Sequence, residues 1–242
     1  MNGPGAGPFL LSQLQNASTI NRAAVSVYLG PNEPKDTNSE LILGAAYDKA
    51  KIDGELFTVG MVDPFSSTLT DDSTNYANVT SIEADIAGKH AKQTYGSGSI
   101  TEGQPYLLDT GNSEWYMPPS VYNLVAPALR ITNTTEQVNF VYPVDCKYKD
   151  PKNAPGHLTV RFGHAGKIEV PLYELVTSFG NGTRNAATGS GDAGSLSDPF
   201  LRNGYFIFDQ ETFTVTMGPA KHTAKRDVVS YPSGEFKVAG NA

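Results

Sequence analysis

The sequence predicts an all-β fold with a few short helices. The 242 residues include 24 Gly, 16 Pro, 12 Tyr and 11 Phe, a mixture that favours short strands joined by turns over long helices. Segments rich in β-branched and aromatic residues recur at short intervals, separated by clusters of Asp, Ser, Asn and Gly. Hydrophobic residues make up 39% of the chain, which is enough for the core of one globular unit.

Apolar spacing and turn residues place the individual elements. Residues 8–14 begin with Pro and carry apolar side chains at helical spacing, which predicts a short helix. A longer helix is predicted over 119–129, where Pro127 weakens the end. The predicted strands are 23–29, 41–44, 54–61, 79–86, 104–108, 158–162, 168–170, 205–208 and 213–217, the last two joined as a hairpin through 209–211.

Charge and composition exclude several kinds of partner. The formal net charge of -7 at pH 7 argues against nucleic acid, because phosphate backbones are bound by clustered Lys and Arg. No apolar run approaches the roughly 20 residues that cross a bilayer, and the first residues lack the pattern of a signal peptide. We therefore predict neither a membrane segment nor an export signal in this chain. The four His residues are scattered and no phosphate-binding loop occurs, so we expect no metal and no cofactor.

Cysteine and glycosylation patterns give conflicting indications of compartment. The single cysteine, Cys146, has no partner for an internal disulfide, which removes the usual sign of an oxidising compartment. Four Asn-x-Ser/Thr triplets begin at Asn16, Asn78, Asn133 and Asn181. Such triplets suit a glycosylated secreted protein, although chance explains some matches to so short a pattern.

The clearest candidate for chemistry is Asp109, which follows the apolar segment 104–108 and precedes Thr110 and Gly111. A carboxylate at such a tight turn lies beside backbone donors. Most Asp residues before turns only accept hydrogen bonds from their own backbone, and the motif taken alone favours that structural role. The surrounding sequence is what favours a catalytic role.

Three separated blocks, in the same order, resemble the pepsin-like aspartic peptidases, especially the fungal ones. Residues 41–56 contain a strand, small residues, an Asp and a Lys-x-x-Gly-x-Leu turn. Residues 106–112, followed by Met-Pro-Pro at 117–119 and a helix, are similar to the second catalytic loop of that family. Residues 198–209 resemble its closing segment, and the whole resemblance extends from residue 8 to residue 222.

The resemblance implies the carboxyl-terminal lobe of the pepsin-like acid protease fold, a β-barrel with a few short helices. In that family two Asp residues, one from each lobe, share a proton, because two adjacent carboxylates do not readily both ionise. The catalytic residues implied here are Asp109 as one member of the pair, Thr110 as a brace to the opposite loop, and Gly111, whose N–H would reach the Asp109 carboxylate. Asn112 stands where the family often has Ser or Thr, and its amide could also donate to that carboxylate. The implied substrate is a polypeptide, and the implied location is secreted or vacuolar.

The chain also departs from the family pattern. No second Asp-Thr-Gly or Asp-Ser-Gly occurs, so the first catalytic Asp and the flap that covers substrate are missing, and a missing amino-terminal lobe is implied as partner. Residues 95–99 are expected to be an ordinary connection and not a flap. Residues 1–20 are interpreted as a remnant of the end of the first lobe and 21–224 as the second lobe.

Two segments are predicted to lack regular structure. Residues 181–197 are almost entirely small and polar, which predicts a mobile loop in place of the apolar strand of the family. Ser197 occupies the position of a family Gly, where its Cβ is expected to crowd a passing loop. Residues 225–242 are predicted to be a disordered tail, and the Lys225-Arg226 pair in it is interpreted as solvated and not as a processing site.

Two functions stay open on the sequence alone. The first is an aspartic endopeptidase represented by its second lobe, which would be inactive by itself because one Asp cannot serve as both acid and base. The second is a non-catalytic remnant that binds a peptide or protein through the exposed surface between the lobes. An Asp-Thr-Gly lobe encoded ahead of residue 1 would favour the first.

Overall fold

The structure of the protein is a computed structural model. It describes residues 10–32, 38–62, 75–99, 102–131, 142–154, 156–179, 183–186, 188–191, 194–231, 236 and 238. Strands dominate, as predicted, and helices are few and short.

Within these described residues the chain forms three α-helices and nineteen strands. The helices are α1 (Leu10–Asn16), α2 (Pro119–Ala128) and α3 (Asp198–Leu201), with short 3-10 turns at Lys49–Lys51, Cys146–Lys149 and Leu172–Leu175. The strands are β1 (Ala24–Tyr28), β2 (Glu40–Leu43), β3 (Ala46–Asp48), β4 (Phe57–Gly60), β5 (Tyr76–Val79), β6 (Ser81–Ile86), β7 (Lys89–Thr94), β8 (Gln104–Leu108), β9 (Trp115–Met117), β10 (Tyr142–Pro143), β11 (His157–Phe162), β12 (Gly166–Pro171), β13 (Val176–Phe179), β14 (Thr183–Ala186), β15 (Thr188–Ser190), β16 (Ser195–Leu196), β17 (Gly204–Asp209), β18 (Thr214–Pro219) and β19 (Val228–Ser230).

A five-stranded antiparallel sheet, in the order β2-β1-β17-β18-β4, forms one layer. The predicted hairpin joins β17 to β18, with Tyr205 opposite Gly218 and Phe208 opposite Val215. All six residues of β17 are buried, so the strand is covered on both faces. This explains why its sequence is a nearly continuous apolar run without the alternation of a half-exposed strand.

A four-stranded sheet, in the order β12-β11-β6-β7, forms a second layer. Its inward side chains pack with α2, α3 and the first sheet around a central group of aromatic rings. The Phe200 ring lies 5.8 Å from Phe206, and 6.2 Å from both Trp115 and Phe162, measured between ring centroids. All four side chains are at most 1% exposed. Each large ring contributes about 2 kcal/mol or more by burial, so this cluster is the centre of the main core.

The described residues also form four smaller sheets: β16-β8-β5, β15-β9, β10-β14-β13 and β19-β3. In the first of them β8 lies in the middle, antiparallel to β5 and parallel to β16. Gly103 leads into β8 with φ +130°, and a Cβ there would lie 2.5 Å from the Val79 carbonyl oxygen. Only glycine therefore fits where β5 and β8 approach each other.

Several predicted elements are confirmed. The strand predicted at 104–108 is β8 with the same bounds, and the helix predicted at 119–129 is α2. The helix predicted at 8–14 is seen as α1 over the part that lies within the described residues. Residues 96–98 form a turn between β7 and β8, as expected of a connection.

The mobile loop predicted at 181–197 is wrong for the residues described there. β14 pairs with β13 and β10, β15 with β9, and β16 with β8. Thr188 is 1% exposed, and its hydroxyl donates to the Trp115 carbonyl at 2.9 Å. The small polar composition of 181–197 led to the wrong prediction. Strand pairing uses backbone groups, which small polar residues supply as well as large apolar ones.

The disordered tail predicted at 225–242 is wrong over its first described part. β19 pairs with β3, placing Val228 opposite Asp48 and Ser230 opposite Ala46. Tyr231 follows and is only 4% exposed. The chain therefore continues to fold beyond residue 224, and this segment covers part of the five-stranded sheet.

Two further features complete the fold. No helix among the described residues is both long and apolar enough to span a membrane. Cys146 lies in the 3-10 turn Cys146–Lys149 and is exposed.

The outer face of the four-stranded sheet carries a buried carboxylate, that of Glu83. Lys92 Nζ and Arg161 Nε both lie 2.9 Å from Glu83 Oε1, and the Ser81 hydroxyl donates to the same oxygen at 2.9 Å. Burial opposes ionisation of Glu83, but these donors outweigh it and lower the pKa from 4.5 to about 2. The ion pairs therefore persist in acid.

We predict that Glu83→Gln lowers the free energy of unfolding by about 1–3 kcal/mol at neutral pH. The folded pKa lies below the unfolded one, so the contribution of the carboxylate is full above pH 4.5 and disappears as the pH falls towards 2. Urea unfolding at several pH values measures this difference. Glu55→Gln, at an exposed residue, is the matched control, and an equal pH dependence in both variants would contradict the assignment.

Candidate active site

Asp109 stands directly beyond the end of β8. Its N–H donates to the Leu196 carbonyl at 2.9 Å, continuing the parallel ladder between β16 and β8. On the other side of β8, the Leu108 N–H donates to the Asn75 carbonyl at 2.8 Å. Leu108 and Leu196 are buried, whereas Asp109 is partly exposed. Hydrogen bonds on both sides therefore hold the backbone at the point where the carboxylate emerges.

The turn after Asp109 directs a backbone donor at its carboxylate. The Gly111 N–H donates to Asp109 Oδ1 at 2.9 Å. A Cβ at residue 111 would lie 3.3 Å from that same oxygen, so a larger residue would crowd the hydrogen bond. Thr110 and Gly111 are exposed. The three predicted site residues thus lie together at one surface, with the carboxylate partly satisfied and open on one side.

Asn112 and the segment from Ser197 to Asp198 fix the far end of this turn. The Asp198 N–H donates to the Asn112 carbonyl at 2.9 Å, and the Asn112 side-chain oxygen accepts from the Glu114 N–H at 3.0 Å. The Asn112 side-chain oxygen therefore braces the turn itself. Together with the bond from Asp109 to Leu196, these contacts bind the loop at both ends.

Ser197, the residue predicted to crowd a passing loop, has an extended backbone with φ -100° and ψ -170°, a conformation that any residue adopts. The residue is fully buried, and its hydroxyl has no hydrogen-bond partner among the described residues. An unsatisfied buried hydroxyl of this kind costs about 1–3 kcal/mol.

Asp198 is a second carboxylate close to the loop. Burial raises its pKa, the negative charge of Asp109 raises it further, and Arg202 acts in the opposite direction. Arg202 Nη2 lies 3.5 Å from Asp198 Oδ2, while Nη1 donates to the Leu29 carbonyl at 3.3 Å. This arginine therefore links the loop to the end of β1. The sequence did not lead us to predict an electrostatic role for Asp198. The (i, i+4) spacing of Asp198 and Arg202 could have indicated their ion pair.

The site offers acid–base chemistry. Within the described residues no group of His, Cys, Asp or Glu is arranged to hold a metal ion. A partly exposed carboxylate beside a fixed backbone N–H can accept a proton from water or return one to a leaving group. One such carboxylate supplies one of these two roles at a time.

Comparison with known proteins agrees with this geometry. The family model of the eukaryotic aspartyl proteases matches residues 5–220. Aspartic proteinase yapsin-3 of Saccharomyces cerevisiae is 25% identical over 89% of the chain, and Secreted aspartic protease 1 of Candida albicans is 26% identical over 90%. The crystal structure of an aspartic proteinase from Irpex lacteus covers 91% of the chain with a TM-score of 0.61 and 16% identity, which confirms the fold.

These matches cover most of this chain but only part of each relative. The chain spans 40% of the length of yapsin-3 and 50% of the Candida protease, and it covers 63% of the Irpex chain. It therefore corresponds to about half of the curated relatives. Because the family model extends over most of the chain, the protein belongs to the eukaryotic aspartyl protease family.

Proposed function

We propose that this chain supplies one half of the active site of an aspartic endopeptidase, with Asp109 as one member of the catalytic pair. The observation that carries the proposal is the Asp109 carboxylate itself, which follows a strand paired on both sides and accepts the Gly111 N–H at 2.9 Å. A fixed carboxylate that remains partly exposed is suited to proton transfer with an incoming substrate.

The proposed reaction needs a second carboxylate facing Asp109. One member of the pair removes a proton from water, whose oxygen adds to the carbonyl carbon of the scissile bond. The other member protonates the amide nitrogen, and the carbon–nitrogen bond then breaks to give a carboxylic acid and an amine. Two close carboxylates suit these roles because they share one proton.

Thr110 and Gly111 are proposed to have supporting roles. Gly111 holds the Asp109 carboxylate through its N–H, and the exposed Thr110 is placed to contact a facing loop through its hydroxyl. Asp198 lies beside them, where burial and the charge of Asp109 raise its pKa and Arg202 opposes them.

The proposed substrates are polypeptides, and the proposed partner is an amino-terminal lobe with its own Asp-Thr-Gly loop. The chain has one such motif, and it spans about half the length of its curated relatives. A secreted or vacuolar location is proposed from relatives such as Secreted aspartic protease 1 and is consistent with the Asn-x-Ser/Thr triplets.

A second candidate is a non-catalytic lobe that binds a peptide or protein. The presence of a single Asp-Thr-Gly in these 242 residues is the observation that favours it. The two candidates differ in whether a complementary lobe restores turnover through Asp109.

We predict that the chain as printed has no peptidase activity, because a lone carboxylate cannot act as acid and base in the same step. Digestion of a denatured protein substrate at pH 3–5, followed by mass spectrometry, tests this expectation. Cleavage by a sample free of other peptidases, blocked by a statine-type inhibitor, would show that the chain is complete as a catalyst.

We predict that a chimera with the first lobe of a related enzyme ahead of Asn21 regains activity through Asp109. In that chimera Asp109→Asn should reduce kcat by more than about a thousandfold, because the amide is nearly isosteric but cannot exchange the proton. Asp53→Asn, at an exposed residue, is the matched control and should leave kcat unchanged.

The chimera also separates the two candidate functions. Turnover that survives Asp109→Asn would exclude Asp109 from the catalytic pair. A folded but inactive chimera that still binds peptides at its interlobe surface would favour the non-catalytic alternative.

A further inference from the structure

The chain after β18 crosses the second face of the five-stranded sheet. β19 pairs with β3, and Tyr231 packs against Tyr47 and Phe236, with ring centroids 6.1 Å and 5.0 Å away. The Tyr231 N–H donates to the Ala45 carbonyl at 3.1 Å. This returning segment, described over residues 227–231, 236 and 238, is called the C-terminal strap below. Its described part belongs to a small apolar cluster separate from the main core.

Asp48 lies beneath the start of this strap. The residue is completely buried, and its Oδ1 accepts from the Ala50 N–H at 3.0 Å and from the Asp227 N–H at 2.7 Å. Its Oδ2 has no hydrogen-bond partner among the described residues. Among the described residues, no Lys, Arg or His side chain lies within ion-pair distance of the Asp48 carboxylate. A buried carboxylate with an unsatisfied oxygen is costly unless a positive charge or further donors reach it.

Asp227, whose N–H donates to Asp48, directly follows Lys225 and Arg226. These two form the only pair of adjacent Lys or Arg residues in the sequence. Both are exposed and lie in a stretch without helix or strand from 221 to 227. Arg226 Nε lies 2.7 Å from Glu40 Oε1, and the Arg226 side chain remains 67% exposed while that of Glu40 is 15% exposed. A processing peptidase would have to displace this ion pair.

We propose that the bond between Arg226 and Asp227 is a proteolytic processing site for a peptidase specific for Lys-Arg pairs. Hydrolysis adds one water across the carbon–nitrogen bond, leaving a carboxylate on Arg226 and a free α-amino group on Asp227. That amino group takes up a proton at neutral pH. The resulting ammonium lies where the amide nitrogen already contacts Asp48, and its three N–H bonds satisfy both carboxylate oxygens.

This ion pair distinguishes the proposal from cleavage of an ordinary exposed loop. The sequence alone favours a solvated Lys-Arg pair, whereas the structure adds a buried acceptor for the terminus that cleavage would create. The strap would remain bound after cleavage, held by the ion pair to Asp48, by β19 and by Tyr231. The inference concerns maturation of the chain and stands independently of the role of Asp109.

Treatment of the intact chain with a Lys-Arg-specific processing endopeptidase tests the site. Mass spectrometry should find fragments 1–226 and 227–242, and the two should elute together on size exclusion under native conditions. Reductive methylation then probes the new amine. It should be protected at Asp227 in the folded, cut chain while exposed Lys89 reacts, and both should react after unfolding.

Variants identify the partner of the new terminus. Arg226→Gln should abolish the cut. In cut Asp48→Asn the strap should dissociate at least about tenfold faster than in the cut unmodified chain, and raising the pH above about 8 should accelerate dissociation only where Asp48 is intact. Asp53→Asn is the matched control and should retain the strap.

Three results would overturn the proposal. The first is that the folded chain is not cleaved after Arg226. The second is that the strap is released at neutral pH as soon as it is cut. The third is that the new amine of Asp227 is methylated as readily as Lys89. Should Asp48→Asn fail to fold, the methylation of the unmodified chain still decides the question.

Discussion

β8 runs between β5 and β16, and the position of the Asp109 carboxylate depends on the parallel contact with β16. That contact is only two residues long, yet it continues into the bond from the Asp109 N–H to the Leu196 carbonyl. The next residues, Ser197 and Asp198, then reach the far end of the Asp109 turn through Asn112. A short and mostly polar segment, distant in sequence, therefore fixes the position of the carboxylate.

Two carboxylates of the chain have pKa values shifted in opposite directions. Glu83 keeps its charge in acid because Arg161, Lys92 and Ser81 hold its pKa at about 2 against the effect of burial. Asp198 shows the opposite behaviour, since burial and the nearby Asp109 raise its pKa while Arg202 opposes them. The first arrangement keeps Glu83 ionised in moderate acid, and the second favours the protonated form of Asp198.

Sequence patterns predicted the long apolar elements well and the short ones poorly. The β17–β18 hairpin and β8 were predictable because their apolar residues are buried by the core, and Asp109 was predictable from the motif that ends β8. β15, β16 and β19 were not, because pairing in such short polar strands is decided by distant backbone partners and not by local composition. The contact between Asp48 and Asp227 joins residues 179 positions apart, which no local pattern reveals.

Hydrogen exchange of the isolated chain tests the central claim, that the lobe by itself holds the Asp109 loop in place. The amide protons of Asp109 and Asp198 donate to Leu196 and Asn112, so we expect both to exchange at least about a hundredfold more slowly than in the unfolded chain. Exchange of these two amides at the unfolded rate, with β17 still protected, would contradict the account. It would show that the loop takes its shape only when another lobe is present.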